Sequence, residues 1–460
     1  MRLDRAYMRT YFGSRSFYKS ALAVMIPVVI QQLINTLFNV VDTVMVGSLG
    51  ELSMSAVAVA NKPAMIYNGF FFGLTGAGGL LISQYYGAGE RDQCQSLFSL
   101  EMLLGGFISV LYACTLFFYP EKVMGIYVQD ESTIALGVTF LKVLSISYLP
   151  TAVSTVCIFS MRALGKNKLP MIVSISALLL NALFNYIFIF GKLGMPKMGV
   201  AGSALGTLLA RTIEMCVYLW ILLRRRNFFT LRLNAFTHIR PGILKYFALR
   251  AVPLTVNELL WSLGLNVFFW VYARLDEPSI PAMVIADQAF MIGFVFTMGM
   301  SSAISVLIGT ELGAGNLTKA RQSCKQLLML QFLMALGCSL VSGAASFAFP
   351  YIFPVQAHLR GLSTQLTLIY SLFFPVSAVY TFCFFCLRAG GDARSAALLD
   401  SGYMWLLPIP VSLAMAFLGQ GKISLLTAVF IVQFLMNAKI VLALHIVRRG
   451  KWIRNITVEG

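Results

Sequence analysis

Charge is what this sequence has least of. Of its 460 residues, 12% are Asp, Glu, Lys or Arg and 58% are hydrophobic, whereas a soluble domain carries about 25% charged residues. That composition excludes a water-soluble globular domain and predicts a polytopic membrane protein. Histidine is nearly absent. His238, His358 and His445 are scattered over loops and helix ends. An integral-membrane enzyme needs acids, histidines or a nucleophile gathered near one interface. No such cluster is legible, so neither an enzyme nor a resident cofactor is expected. The eight cysteines lie mostly inside apolar runs and read as small hydrophobes rather than disulfides. Cys383 and Cys386 form a CxxC, but within a hydrophobic stretch, which argues against a redox or metal role. A cleavable signal is lacking too: the basic start, Arg2 to Lys19, runs into an apolar segment too long for a signal core.

Long apolar runs are what the chain has in plenty. Runs of about 20 residues or more, enough to span a bilayer, occur near 20–46, 57–85, 97–119, 134–160, 169–191, 199–223, 246–272, 283–311, 326–349, 363–387, 396–418 and 423–447. The expected fold is therefore all-α and integral to the membrane, with twelve transmembrane helices. With the N-terminus placed in the cytoplasm, twenty-four lysines and arginines fall in cytoplasmic segments and seven in the opposite loops. This positive-inside bias predicts a multi-pass protein with both termini cytoplasmic. It also accounts for the net charge of +17 without nucleic acid, since basic loops lie against anionic lipid.

The sequence repeats itself. Pro27 and Pro253 are 226 residues apart, and the same offset relates Gly87-Ala88-Gly89 to Gly313-Ala314-Gly315 and Arg162-Ala163 to Arg388-Ala389. The chain reads as two homologous six-helix lobes, 1–223 and 246–460, joined by a basic cytoplasmic linker at 224–245. Six is even, so the lobes are parallel repeats, as in one class of transporter.

Polar residues inside the spans are the candidate site. In the first span Gln31, Asn35, Asn39 and Asp42 recur at steps of four, four and three, which places them in one helical stripe. An Asp at the centre of a span costs about 2.5–3.5 kcal/mol on insertion scales. The stripe must therefore face protein or a watery cavity. It reads as a binding or proton site, or as a polar seam between helices. Asn181 and Asn185 share one face of the fifth span at a depth matching Asp42, so the three are expected to share a cavity. In the sixth span Gly202 and Gly206 form a GxxxG packing seam, beside which Ser203 and Thr207 offer hydroxyls. Arg211 and Glu214 are expected to pair structurally. The seventh span carries Asn257 and Glu258, then Ser262 and Asn266, as the second lobe's stripe. Asp287 reads as a solvated helix end.

Pro27 with VVDTVMVGSLG, then SQYYGAG, MRALGKNK, NALFNYIFIFG and GVAGSALGT, resemble the ordered signatures of the multidrug and toxic compound extrusion (MATE) transporters. The resemblance covers essentially the whole chain. It implies export of small organic, often cationic, compounds from the cell membrane by alternating access, in exchange for protons or sodium ions. The family's first-helix carboxylate matches Asp42, its fifth-helix asparagine Asn181 and its sixth-helix threonine Thr207. Asn39 joins these as an ion-coupling candidate, and so does Asn185, which stands where many members carry an acid. Gln31, Asn35, Asn257, Glu258 and Asn266 are candidates for the substrate cavity. A sodium-coupled branch has a glutamate at the position of Trp261 and an aspartate at that of Ser377. Here the acid is one turn earlier, at Glu258. The coupling ion is thus a proton, or a sodium ion held at Asp42 by amide and hydroxyl oxygens. A lipid-linked oligosaccharide flippase of the same superfamily is the rival reading. It would favour a strongly cationic cavity, and few arginines lie within these spans.

Overall fold

The computed structural model describes residues 11–453 apart from 88, 89, 165, 167, 225–228, 230–240, 314, 391 and 419–421. Most of the basic linker 224–245, His238, and Ala88, Gly89 and Ala314 of the repeat anchors lie outside the described residues.

The described chain is helical. The spans are α1 (Arg15–Gly47), α2 (Lys62–Gly87), α3 (Arg91–Phe118), α4 (Glu131–Ser145 and Tyr148–Ala163), α5 (Lys168–Phe190), α6 (Val200–Arg224), α7 (Pro241–Leu275), α8 (Ile280–Ala303, continued to Gly313), α9 (Leu317–Ala345), α10 (Ala357–Ala389), α11 (Ala393 to Leu418) and α12 (Leu425–Ala438 and Ile440–Arg449). Ten of these are long and apolar enough to cross a bilayer, and the bent α4 pair makes an eleventh. The 26 residues of α2 complete the twelve. Large side chains such as Phe107, Phe118, Leu340 and Val341 are exposed on α3 and α9. On a soluble protein such faces would aggregate, whereas here they are surfaces for lipid.

Several spans are more broken than an even apolar run suggests. The run near 57–85 is two elements: a short, largely buried helix, Glu51–Ala60, ends at Asn61 before α2 begins. The run near 134–160 bends by 51° between its halves. Pro150 has no N–H to return to the carbonyl of Ile146, which loosens the turn there. At the bend the Leu144 carbonyl accepts both from the Ser147 N–H at 2.8 Å and from Ser147 Oγ at 2.6 Å. In α11 a π-helical turn covers Leu398–Gly402 and the helix breaks again at Leu407, before Pro408. A second π turn, Ile304–Ile308, interrupts α8.

Two compact units divide the chain, Val41–Asn266, and Val267–Gly460 with the stretch up to Val40. The repeat boundary and the packing boundary differ at α1 and α7, each of which passes from one unit into the other. Inside Val41–Asn266, Gly73 of α2 lies against the backbone of Thr255 on α7. Inside the other unit, Gly299 of α8 lies against Val29 of α1. These are the same contact at the 226-residue offset. In each, a glycine lets the second span of one repeat approach the first span of the other.

The two contacts differ in what a methyl group would strike. At Gly73 it meets the Thr255 Cα and N, which cannot rotate away; at Gly299 it meets a Val29 methyl, which can. Gly73→Ala should therefore lower stability by about 1–3 kcal/mol, the usual range for overpacking, and Gly299→Ala by less. Gly106→Ala, with open space around it, should leave the detergent-solubilised protein unchanged or slightly stabilised. Melting curves of the three variants, followed by size-exclusion, test this ranking.

Candidate functional site

The polar site of the Val41–Asn266 unit is set by how closely α5 and α6 pack. A Cβ on Gly202 would stand 2.6 Å from the carbonyl carbon of Phe188, and one on Gly206 3.0 Å from the backbone nitrogen of Asn185. The GxxxG of α6 is thus a backbone-to-backbone seam, as the small-residue spacing predicts. It carries Ser203 and Thr207 against the face of α5 that bears Asn181 and Asn185.

Asp42, near the C-terminal end of α1, closes the group. Asn185 Nδ2 donates to Asp42 Oδ1. Asn185 is fully buried, and its Oδ1 has no hydrogen-bond partner among the described residues. Ser203, also buried, lies beside the Asp42 carboxyl, yet its hydroxyl makes no bond of good geometry. One turn along, Asn181 Nδ2 donates to Thr207 Oγ1 at 3.1 Å. Amide and hydroxyl groups surround the carboxyl, and no basic side chain is among its partners. Two buried oxygens, Asn185 Oδ1 and Ser203 Oγ, have no hydrogen-bond partner of good geometry among the described residues. A carboxylate with neutral oxygens around it suits a proton or a small hard cation.

The other candidate residues are dispersed. Asn39 is exposed on α1 and Gln31 is half-buried. Asn35 Nδ2 donates to Gln32 Oε1 at 3.2 Å, within its own helix. Asn257 and Glu258 are half-buried on α7. Asn266 is buried with both ends engaged: its Oδ1 accepts from Tyr127 Oη at 3.1 Å, and its Nδ2 donates to the Ser262 carbonyl at 2.9 Å.

Arg211 Nη1 is 2.8 Å from Glu214 Oε2, and Ser174 Oγ donates to Glu214 Oε1 at 3.2 Å. The pair bridges α6 to α5, the structural role expected of it. Asp287 is a correction. Pro281 starts α8 early, so Asp287 falls well inside the helix, half-buried and in hydrogen-bonding reach of the buried Tyr370, with Tyr272 near. It is not a solvated end. Two further ionisable residues are buried within spans. Glu101 of α3 is fully buried and accepts from Ser160 Oγ at 3.3 Å; a lone acid in LFSLEMLLGGF was its signal. Lys439 of α12 is the second. The cysteines are all free, and no group of three or more metal-ligating side chains occurs among the described residues.

Comparison with known proteins agrees with this architecture. The family profile described as MatE matches residues 27–187 and 253–414, two stretches that begin at Pro27 and Pro253. A Streptococcus pneumoniae protein described as a probable multidrug resistance protein NorM is 26% identical, with 78% of this chain and 79% of the relative covered. The multidrug resistance protein MdtK of Yersinia enterocolitica is 26% identical over 85% of this chain and 86% of its own. Among solved structures, an inward-facing multidrug resistance MATE family transporter of the MOP superfamily superposes with a TM-score of 0.78 at 18% identity, covering 93% of this chain and 99% of that one.

The Arg211–Glu214 pair gives a direct test of the seam. Glu214 has a fully buried side chain, while that of Arg211 is 39% exposed. Arg211→Met strands a buried carboxylate and should cost about 3 kcal/mol of stability. The double variant Arg211→Met/Glu214→Met should recover most of that loss. Thermal unfolding of the two variants in one detergent measures the difference.

Proposed function

Since the chain belongs to the MatE family of membrane transporters, we propose that it exports small organic, chiefly cationic, compounds across the cell membrane in exchange for a proton, with both termini cytoplasmic. The relatives described as multidrug resistance proteins support a broad range of cargo. The many aromatic residues, 36 Phe and 18 Tyr, suit flat cations, which bind well to ring faces. The two lobes, 1–223 and 246–460, serve alternating access, as in other transporters built of parallel repeats.

The observation that carries the coupling is the Asp42 carboxyl held by Asn185 without a basic partner. Binding of the coupling ion at Asp42 and release of the organic cation are then linked, because each alters the charge balance of the same machine. Asn181 and Thr207 hold the helix faces in register around it. Sodium is the second reading, favoured by the uncommitted oxygens of Asn185 and Ser203, which are hard ligands of the type such a cation takes.

Reconstituted into proteoliposomes, the wild type should expel the fluorescent cation ethidium when a proton gradient alone is imposed. A sodium gradient alone should drive it only if the second reading holds. Asp42→Asn should lower gradient-driven export about tenfold or more, a barrier change of about 1.4 kcal/mol, and leave membrane insertion intact. An Asp42→Asn protein that exports like the wild type removes Asp42 from the mechanism. Transport that needs neither gradient points instead to the lipid-linked oligosaccharide flippase reading.

A further inference from the structure

A second charged centre lies in the unit Val267–Gly460, and its lysine, Lys439, stands beyond the stretch 253–414 that the family profile matches. Lys439 is 2% exposed. It stands where α12 breaks, between Leu425–Ala438 and Ile440–Arg449. Its ammonium is 4.1 Å from the centroid of the Tyr380 ring on α10, a cation–π contact in a desolvated setting. Asp400 is the charged group that acts on both Lys439 and Tyr380. It lies in the π turn Leu398–Gly402 of α11. The surrounding polar groups are tied down. Ser377 Oγ donates to Asn437 Oδ1 at 2.8 Å, and Tyr403 Oη donates to the Leu435 carbonyl at 3.0 Å. Cys383, one turn beyond Tyr380, is sealed in an apolar core with Cys324 and Cys386. The titratable groups of this cluster are thus Asp400 and Tyr403 on α11, the latter engaged with α12, and Tyr380 on α10.

The arrangement is expensive for a merely structural contact. Lys and Asp within a span are costly to insert, most of all at its middle, and well-packed apolar side chains commonly serve a buried position as well or better. The π turn at Asp400 and the broken α12 at Lys439 are further departures from regular helix, and π turns gather at functional positions. A lysine, unlike an arginine, can give up its proton in a buried site.

We propose that Lys439 and Asp400, with Tyr380 as the ammonium's platform, form a second proton-binding site in the Val267–Gly460 unit. The proton bound on the Lys439 ammonium leaves to solvent and returns in each cycle; with it the pair is neutral, and without it Asp400 carries an uncompensated charge. The site rests on the exporter reading above for its use in transport, but its proton binding is independent of Asp42.

The full-length protein in detergent tests this through the pH dependence of its melting temperature, read by tryptophan fluorescence. Lys439→Arg keeps the positive charge and cannot deprotonate. Lys439→Met/Asp400→Asn removes the pair altogether. A group that binds a proton differently in the folded and unfolded states bends the stability–pH curve. The wild type and Asp42→Asn should share one bend that both Lys439 variants lack. Curves of the same shape in all four proteins overturn the site. Loss of the folded, monodisperse state in both Lys439 variants assigns the pair to structure and overturns it as well. Ethidium export by the same proteins is scored separately: failure of wild-type export removes the exporter reading and leaves the bend, and hence the proton site, to stand or fall alone.

Discussion

Helices α5 and α6 touch backbone to backbone, and the Asp42 site exists because they do. Gly202 and Gly206 leave no room for a side chain between α6 and the main chain at Phe188 and Asn185. The approach is what delivers Asn185 to Asp42 and Asn181 to Thr207. In lipid there is no apolar driving force between helices, so contact area and interhelical hydrogen bonds must hold them. The same bonds that bring the site together therefore also hold the unit together. Arg211 and Glu214, farther along the seam, extend this with a charge pair and the Ser174 hydroxyl.

Buried polar atoms of the Val41–Asn266 unit are satisfied to different degrees. Asn266, Tyr127 and Ser262 close on one another. Asn185 Oδ1 and Ser203 Oγ do not, although both are buried. In a low-dielectric interior an unpartnered oxygen costs about 1–3 kcal/mol. A site that binds and releases an ion must carry such a cost in the empty state, since its ligands cannot also be engaged elsewhere.

Periodicity made much of this legible before any coordinates. A four-residue step puts Asn181 and Asn185 on one face, and GxxxG announces the seam, because both patterns are local properties of one helix. The repeat was legible as well, through the offset shared by Pro27 and Pro253, where the two family matches also begin. What the pattern could not supply was partnership across helices. Lys439 and Asp400 stand far apart in sequence, and each alone looks like a tolerated charge. Asp287 looked solvated because the start of α8 was placed late; with Pro281 opening the helix it reaches Tyr370. The breaks in α4, α11 and α12 were hidden for a related reason: hydropathy counts apolar residues and is blind to a missing proline N–H or to a π turn.

The paired contacts of Gly73 with Thr255 and of Gly299 with Val29 bear on how the chain is made. Synthesis runs from the N-terminus, and α2 leaves the ribosome long before Thr255 exists. The Val41–Asn266 unit thus waits, with one glycine face of α2 uncovered, until α7 has entered the membrane. Met25 and Val29 wait in turn for Gly299. Neither repeat contains, within its own residues, the surface that finishes its second helix.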